Sequence, residues 1–350
     1  MMNEQEKLLP FRPNTVLKRR KVGTIAYSDG GTGNLDLPRV GYLSGVWINL
    51  RGTLNLGGAG TLADLGPWNA LKRIQLNANF GGASLWDTSG YMAYLSAGGT
   101  MPNFLADAGD TRSLTPATDT YQAGVANGNN TYSLWYYLPV SVNQGLNFHI
   151  GLILLQSTTV TVTVNLNFGN AAGDIVTGLV GGTGFTGTAH VYYDYYEVPA
   201  GNVQQPPLIT CRTLEESNVI TATGENKYQC PNGGTLIRMD TLLRLNSARN
   251  ESNLDTLKIY INQTETRYDV ERQWMKTLNR YTNGIYLPTG AFRWSFLNAF
   301  APGVVEAGDS QNALDTEEIA LLEFAYNITG GLGASGNEIR FARRIIQVIQ

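Results

Sequence analysis

The sequence predicts an all-β chain folded as two tandem β-sandwiches with few short helices. Three observations predict it. At 350 residues and 43% hydrophobic content, the chain exceeds the size at which a single sandwich core usually stops growing, so two cores are expected. Its 40 glycines, its tyrosines and its repeated Thr, Val and Asn runs favour strands and turns, and no long helical heptads occur. Several segments also alternate apolar and polar residues with a period of two, which puts one face of a strand in a core and the other in water.

Composition excludes several classes. Only 15% of residues are charged, so much of the surface is expected to meet protein rather than water. A net charge of -3 and a pI near 5.5 give no global case for binding nucleic acid. Cys211 and Cys230 are the only cysteines, leaving room for one bridge but not for a disulfide framework or a Cys-based zinc site. The opening "MMNEQEKLLPFRPN" carries Glu4 and Glu6 and no apolar stretch, so no signal peptide is expected. No run of about 20 apolar residues exists to span a bilayer.

Residues 1–39 read as an N-terminal arm outside the core, because Lys18, Arg19, Arg20 and Lys21 stand shortly before a glycine-rich turn at Gly30, Gly31 and Gly33. This basic run is the one local electrostatic signal and the candidate contact with a membrane surface or an enclosed genome. A first sandwich is expected over 40–199. In "GVWINLRGTLNL", Val46, Ile48, Leu50, Leu54 and Leu56 share a face, with Gly52 in the gap. "IQLNANFGGASLWDTSGYMAYL", Ile74 to Leu95, starts as a strand, breaks at a glycine pair and then presents Trp86, Asp87, Ser89 and Tyr91 together. Thr100 to Asn130 is a long polar excursion. Strands resume with "YSLWYYLPVSV" from Tyr132. "TTVTVTVNLNFG" sets Val160, Val162, Val164, Leu166 and Phe168 against Thr and Asn, and "HVYYDYYEV" follows from His190.

A Pro/Gln/Gly linker at 200–207 opens the second sandwich, 200–350. Its strands are "TLIRMDTLLRLN", "TLKIYINQTETRYDV", "GAFRWSFLNAF", "ALLEFAYNI" and a closing "EIRFARRIIQVIQ". One helix is expected, with Asp269 as N-cap, Val270, Trp274, Leu278 and Tyr281 on one stripe, and Gly284 after its end.

No motif assembles a catalytic constellation or a cofactor site. "DTSGY" has Asp87 where a nucleophile elbow needs glycine. "GTGFTG", Gly182 to Gly187, precedes a tyrosine-rich strand rather than the helix a phosphate loop requires. His149 and His190 lie in apolar, strand-like runs and read as structural. Glu215 and Glu216 are adjacent, so on a strand they would point to opposite faces rather than face each other across a bond, and the pair reads as a solvated turn. Glu317 and Glu318, after Asp309 and Asp315, read as a solvated turn without regular metal-ligand spacing.

At these residues a resemblance enters. "LPRVGYLSGVWINLRGTLNL" followed by "ALKRIQLNANFGGASLWDTSGYMAYL" resembles the first strands of the double-jelly-roll major capsid proteins of tailless, membrane-containing bacteriophages, relatives of the adenovirus hexon. Arg73, Ile74, Leu76 and Asn79 would belong to a strand, and Ser89, Gly90 and Tyr91 to the segment after its turn. "GIYLPTGAFRWSFLNAFAPG" followed by "ALDTEEIALLEFAYNI" resembles the late strands of that family's second roll. The resemblance covers most of residues 40–350.

It implies two tandem jelly rolls of about eight strands each, and a structural rather than enzymatic role. Three chains would form a capsomer of pseudo-hexagonal outline that tiles an icosahedral shell. Implied partners are other copies of the chain, neighbouring capsomers, vertex or minor capsid proteins and an internal membrane, with no specific nucleic acid and no cofactor. The location would be the virion, after synthesis in the host cytoplasm. The basic arm would face the interior, and the loop from Thr100 to Asn130 would be an outward tower or an intersubunit clasp. The alternative from the residues is a carbohydrate-binding β-sandwich, such as a viral spike or lectin, stacking sugars on exposed Trp and Tyr. A glycoside-active enzyme with carboxylates gathered by folding is the third reading.

Overall fold

The computed structural model describes residues 8–79, 84–98, 124–125, 127–143, 149–179, 181–283, 287–296 and 313–348. Before the linker, the strands of five residues or more are β1 (Leu17–Ala26), β2 (Thr32–Asp36), β3 (Tyr42–Leu56), β4 (Leu71–Ala78), β5 (Ser84–Thr88), β6 (Gly128–Pro139), β7 (Val162–Phe168) and β8 (Gly184–Tyr196). After it come β9 (Ile209–Val219), β10 (Gly224–Cys230), β11 (Thr235–Leu245), β12 (Leu254–Ile261), β13 (Glu265–Glu271), β14 (Ala291–Ser295), β15 (Leu322–Ile328) and β16 (Glu338–Val348). Helix α1 (Gly90–Gly98) follows β5, and α2 (Arg272–Asn283) follows β13.

Both halves pair their strands in one order. In the first, β1-β8-β3-β6 form one antiparallel sheet and β2-β7-β4-β5 the other. In the second, β9-β16-β11-β14 and β10-β15-β12-β13 repeat that arrangement strand for strand. Two four-stranded sheets wound in this order make a jelly roll. The rolls are joined edge to edge: β5 lies parallel to β9, pairing Trp86 with Thr213 and Asp87 with Leu214, so one sheet runs from the first roll into the second.

The alternation read in β3 and β7 is the observed core. Val46, Ile48, Leu50, Leu54 and Leu56 are buried, as are Val162, Val164, Leu166 and Phe168, while Val160 precedes β7 and is partly buried. Gly52 is glycine because a Cβ there would meet the Phe185 ring at 2.4 Å. Phe185, from β8, fills the gap in the period. A second core gathers Leu236, Leu243, Leu257, Ile259, Phe292, Trp294, Phe324 and Phe341.

Residues 1–39 were expected as an arm, and the structure corrects this. β1 is hydrogen-bonded along its length to β8, and β2 to β7. Ile25 and Leu37 are buried in the first core, and Phe11 packs edge-on against Tyr42 and Tyr196 at 5.4 and 5.8 Å. The basic run conceals the strand, because Lys18 to Lys21 interrupt any apolar alternation.

The expected helix also shifts. Asp269 and Val270 end β13 rather than opening α2. The helix turns Met275 and Asn279 inward with Leu278 packed beside them, and leaves Trp274 58% exposed. The Tyr281 side chain and Gly284 lie outside the described residues. Helix α1 has no counterpart in the sequence reading. Its residues Tyr91 to Ser96 are buried on every side, so it has no polar face from which a helical period could be read. Cys211 and Cys230 are buried, on β9 and β10, and form no disulfide with each other.

Candidate functional site

The junction between the rolls concentrates the chain's buried chemistry. Along β11, Arg238, Asp240, Leu242 and Arg244 share one face by the strand's period of two. That face meets the first roll. Leu242 joins the first roll's core, and Arg244 pairs with Asp64 at 3.2 Å. Asp240 accepts a hydrogen bond from the Ser96 hydroxyl of α1 at 2.9 Å and pairs with Arg238 at 3.2 Å and with Arg293. The same two arginines donate to the last turn of α1: Arg293 to the Leu95 carbonyl at 2.8 Å, Arg238 to that of Ser96 at 3.3 Å. Cations there satisfy carbonyls that a helix end leaves open. Asp240, Arg238, Arg293 and Ser96 are all buried. Burial by itself would raise the Asp240 carboxyl, but Arg293 and Arg238 hold it below the usual aspartate value.

The cluster in Ile74 to Leu95 is a corner of this junction. Trp86 is fully buried and its indole N–H donates to Thr88 at 2.8 Å. Asp87 accepts two bonds from Arg73, at 2.6 and 2.7 Å, and one from Gln75 at 3.1 Å. The Ser89 hydroxyl accepts from the Met92 amide, and the Tyr91 hydroxyl accepts from Arg249 at 2.9 Å. Tyr94 stacks on Trp68 with centroids 3.8 Å apart. These are packing and capping roles.

Glu215 and Glu216, expected in a solvated turn, lie instead within β9, where neighbouring residues point to opposite faces. Glu215 accepts the Ser89 backbone N–H and lies 3.6 Å from Arg340, while Glu216 takes Tyr228 and Arg343 on the other side. Burial pushes the Glu215 carboxyl up despite Arg340 and Ser89. A raised folded-state pKa gives stability that is complete below the unfolded value, near 4.5, and is lost as pH rises through the folded one. Glu215→Gln keeps an acceptor for Ser89 and carries no charge. It is expected to raise the melting temperature by about 2 °C at pH 7, with the gain vanishing below pH 4.5. Calorimetry that finds the variant less stable at pH 7 would refute this.

A cleft of about 800 Å³ opens beside the junction, lined in part by Asp64, Lys72, Arg73, Asp174, Arg244 and Arg340. Each of its cations already holds a carboxylate: Lys72 with Asp174 at 3.3 Å, Arg73 with Asp87, Arg244 with Asp64 and Glu338, Arg340 with Glu338 at 2.8 Å. The cations of the cleft are thus ion-paired, and the Arg244–Asp64 pair joins the two rolls. Among the described residues, no three His, Cys, Asp or Glu side chains gather as a metal site.

The basic run sits on β1, the outer strand of its sheet, opposite Tyr195, Asp194, Tyr193 and Tyr192. Lys18 pairs with Glu197. Arg19 forms two bonds to Asp194, at 2.6 and 2.8 Å, and covers the Trp47 ring. Arg20 and Lys21 are exposed. His190, on β8, is half-buried and held below its usual value by burial, Lys21 and Arg51. The His149 side chain and Asp309 lie outside the described residues, as does most of the stretch from Thr100 to Asn130, whose last three residues already belong to β6. Glu317 and Glu318 are exposed in a turn, and "GTGFTG" runs into β8. The functional residues that sequence reasoning missed are Arg238, Asp240 and Arg293. The signal for Arg238 and Asp240 is two opposite charges spaced i, i+2 inside a largely apolar strand.

No family model matches the sequence, and no related sequence is found among curated proteins. Solved structures do match. The crystal structure of the STIV MCP, from Sulfolobus turreted icosahedral virus, superposes with a TM-score of 0.70 at 13% identity, over 95% of this chain and 97% of that one. The quasi-atomic model of the PBCV-1 virus capsid gives 0.65 at 11% identity, over 97% and 96%. The major capsid protein of bacteriophage PM2 gives 0.52 at 10% identity, over 96% and 98%. The fold is therefore that of a double-jelly-roll capsid protein.

Proposed function

We propose that this chain is the major capsid protein of a tailless icosahedral virus, a structural protein of the virion whose product is shape. Three copies form a pseudo-hexagonal capsomer, and capsomers tile the shell. The observation that carries this reading is the likeness to solved capsid proteins over nearly the whole of both chains. The division into rolls at 200–207 fits it, since that segment lies between β8 and β9. On this reading, the shell also meets vertex or minor capsid proteins and, on its inner side, a membrane. Light scattering behind a sizing column is expected to give the mass of a trimer, and electron microscopy of that peak a hexagonal outline. A monomer at micromolar concentration would overturn the reading.

One observation bears on the carbohydrate-binding alternative. Trp47, Trp135, Tyr137 and Tyr192 lie half-buried on the outer face of the β1-β8-β3-β6 sheet. Sugar stacking needs an open ring face. Here Trp47 lies against Tyr137 at 4.3 Å and under Arg19 at 4.8 Å, so the rings largely cover one another.

A further inference from the structure

The outer face of the β1-β8-β3-β6 sheet gathers three basic side chains near its middle. Lys21 of β1 stands opposite Tyr192 of β8, and His190, two residues before Tyr192, stands opposite Asn49 of β3. Arg51 comes two residues after Asn49, opposite Thr188 of β8 and Ser133 of β6. Steps of two keep side chains on one face of a strand, so Lys21, His190 and Arg51 follow a single diagonal across three strands. A β-bulge between Lys21 and Gly23 adjoins the first of them, and bulges re-aim side chains at such places.

Among the described residues, no carboxylate balances this diagonal. Asp194 of β8 is held by Arg19 and by the Trp47 indole, and Glu197, just beyond β8, by Lys18. Lys21 and Arg51 are exposed and neither has an ion pair. The charged groups acting on His190 are these two cations and no acid. Its Nδ1 is buried without a hydrogen-bond partner, while the ring as a whole is half-buried.

Arg51 is nevertheless fixed in place. Its Nε donates to the Asn49 side-chain oxygen, and the fully buried Asn49 donates in turn to the Ser133 hydroxyl at 3.1 Å and to the Leu134 carbonyl at 3.4 Å. A guanidinium held this way loses little freedom when it takes a ligand. Its two Nη groups bond to no described residue, and a guanidinium fork matches two oxygens of a phosphate. The Ser133 hydroxyl accepts from Asn49, which leaves its hydrogen to donate.

We propose that Lys21, Arg51 and His190 form a binding site for a small tetrahedral oxyanion of the phosphate class. Arg51 takes two of the oxygens, Lys21 supplies a point charge from the other end of the diagonal, and the imidazole lies between them. The bound anion offsets the mutual repulsion of the three bases. His190 is at the middle of the 13 residues of β8, so the site lies on the sheet face and away from the strand ends. It is complete within one chain and holds for a monomer as for a trimer.

His149 and His190 are the only histidines, so the His190 resonance is identified in proton NMR of the full chain by its loss in His190→Asn. In inorganic phosphate, His190 is expected to titrate about one pH unit higher than in sodium chloride of equal ionic strength, a tenfold gain in proton affinity. At fixed pH its resonance is expected to move along a saturating curve as phosphate is added. Lys21→Ala with Arg51→Ala, at two exposed positions, is expected to abolish both responses with circular dichroism unchanged. An equal response to chloride, a drift that never saturates, or a response that survives in the double variant would overturn the proposal. So would a response to phosphatidylglycerol vesicles with none to free phosphate, which would give this face to lipid.

Discussion

Asp240→Asn is expected to cost about 3 kcal/mol of stability, because it takes from buried Arg293 the carboxylate it pairs with. The substitution keeps the shape of the side chain and an oxygen for the Ser96 hydroxyl, so the loss reports charge rather than packing. Arg293 would retain the Leu95 carbonyl of α1, which is a dipole and cannot neutralise a guanidinium. The pH dependence follows from the direction of the shift. Asp240 is held below its ordinary value, so its contribution is complete above the unfolded pKa and is lost as pH falls through the lower folded one. The gap between the two proteins should therefore stay constant above about pH 5 and narrow only below about pH 4. Urea midpoints across that range measure it, and equal midpoints at pH 7 would show that the network contributes no stability. Replacing Asp240, Arg238 and Arg293 together by apolar residues should cost far less than Asp240→Asn alone, since no charge is then stranded.

What could be read from the sequence divides along a physical line. Strands with one face in a core and one in water announce themselves, as β3 and β7 do through Val46 to Leu56 and Val162 to Phe168. Elements covered on all sides do not. Helix α1 is apolar around its whole circumference, and β11 is buried on both faces, so neither shows a clean period. On β11 the two faces serve different neighbours: Met239, Leu243 and Leu245 fill the second core, while Arg238, Asp240 and Leu242 meet the first roll. The arm was misread for a related reason, since a strand at a sheet edge can carry four bases in succession and still pair along its length. Trp274 shares a helical spacing with Val270 and Leu278, yet α2 leaves it exposed.

Trp86→Ala and Trp294→Ala should each cost about 3–5 kcal/mol, yet they are expected to fail in different ways. Trp294 lies within the second core, 5.7 Å from Tyr268 and 6.1 Å from Phe324 between ring centroids, so its loss opens a cavity inside one roll. Trp86 fills the first core from β5, the strand that also pairs with β9 through Trp86 and Thr213. Removing it weakens the first roll and the seam at once. A chain whose rolls unfold together because the seam couples them should then separate into two transitions in Trp86→Ala, while Trp294→Ala shifts one transition to lower urea. Near-ultraviolet and far-ultraviolet circular dichroism followed through the same titration distinguish the two patterns. Both variants should yield less trimer in proportion to their lost stability, because a capsomer forms only from folded rolls. Two unshifted transitions with full trimer yield would mean that neither tryptophan holds the structure as its burial implies.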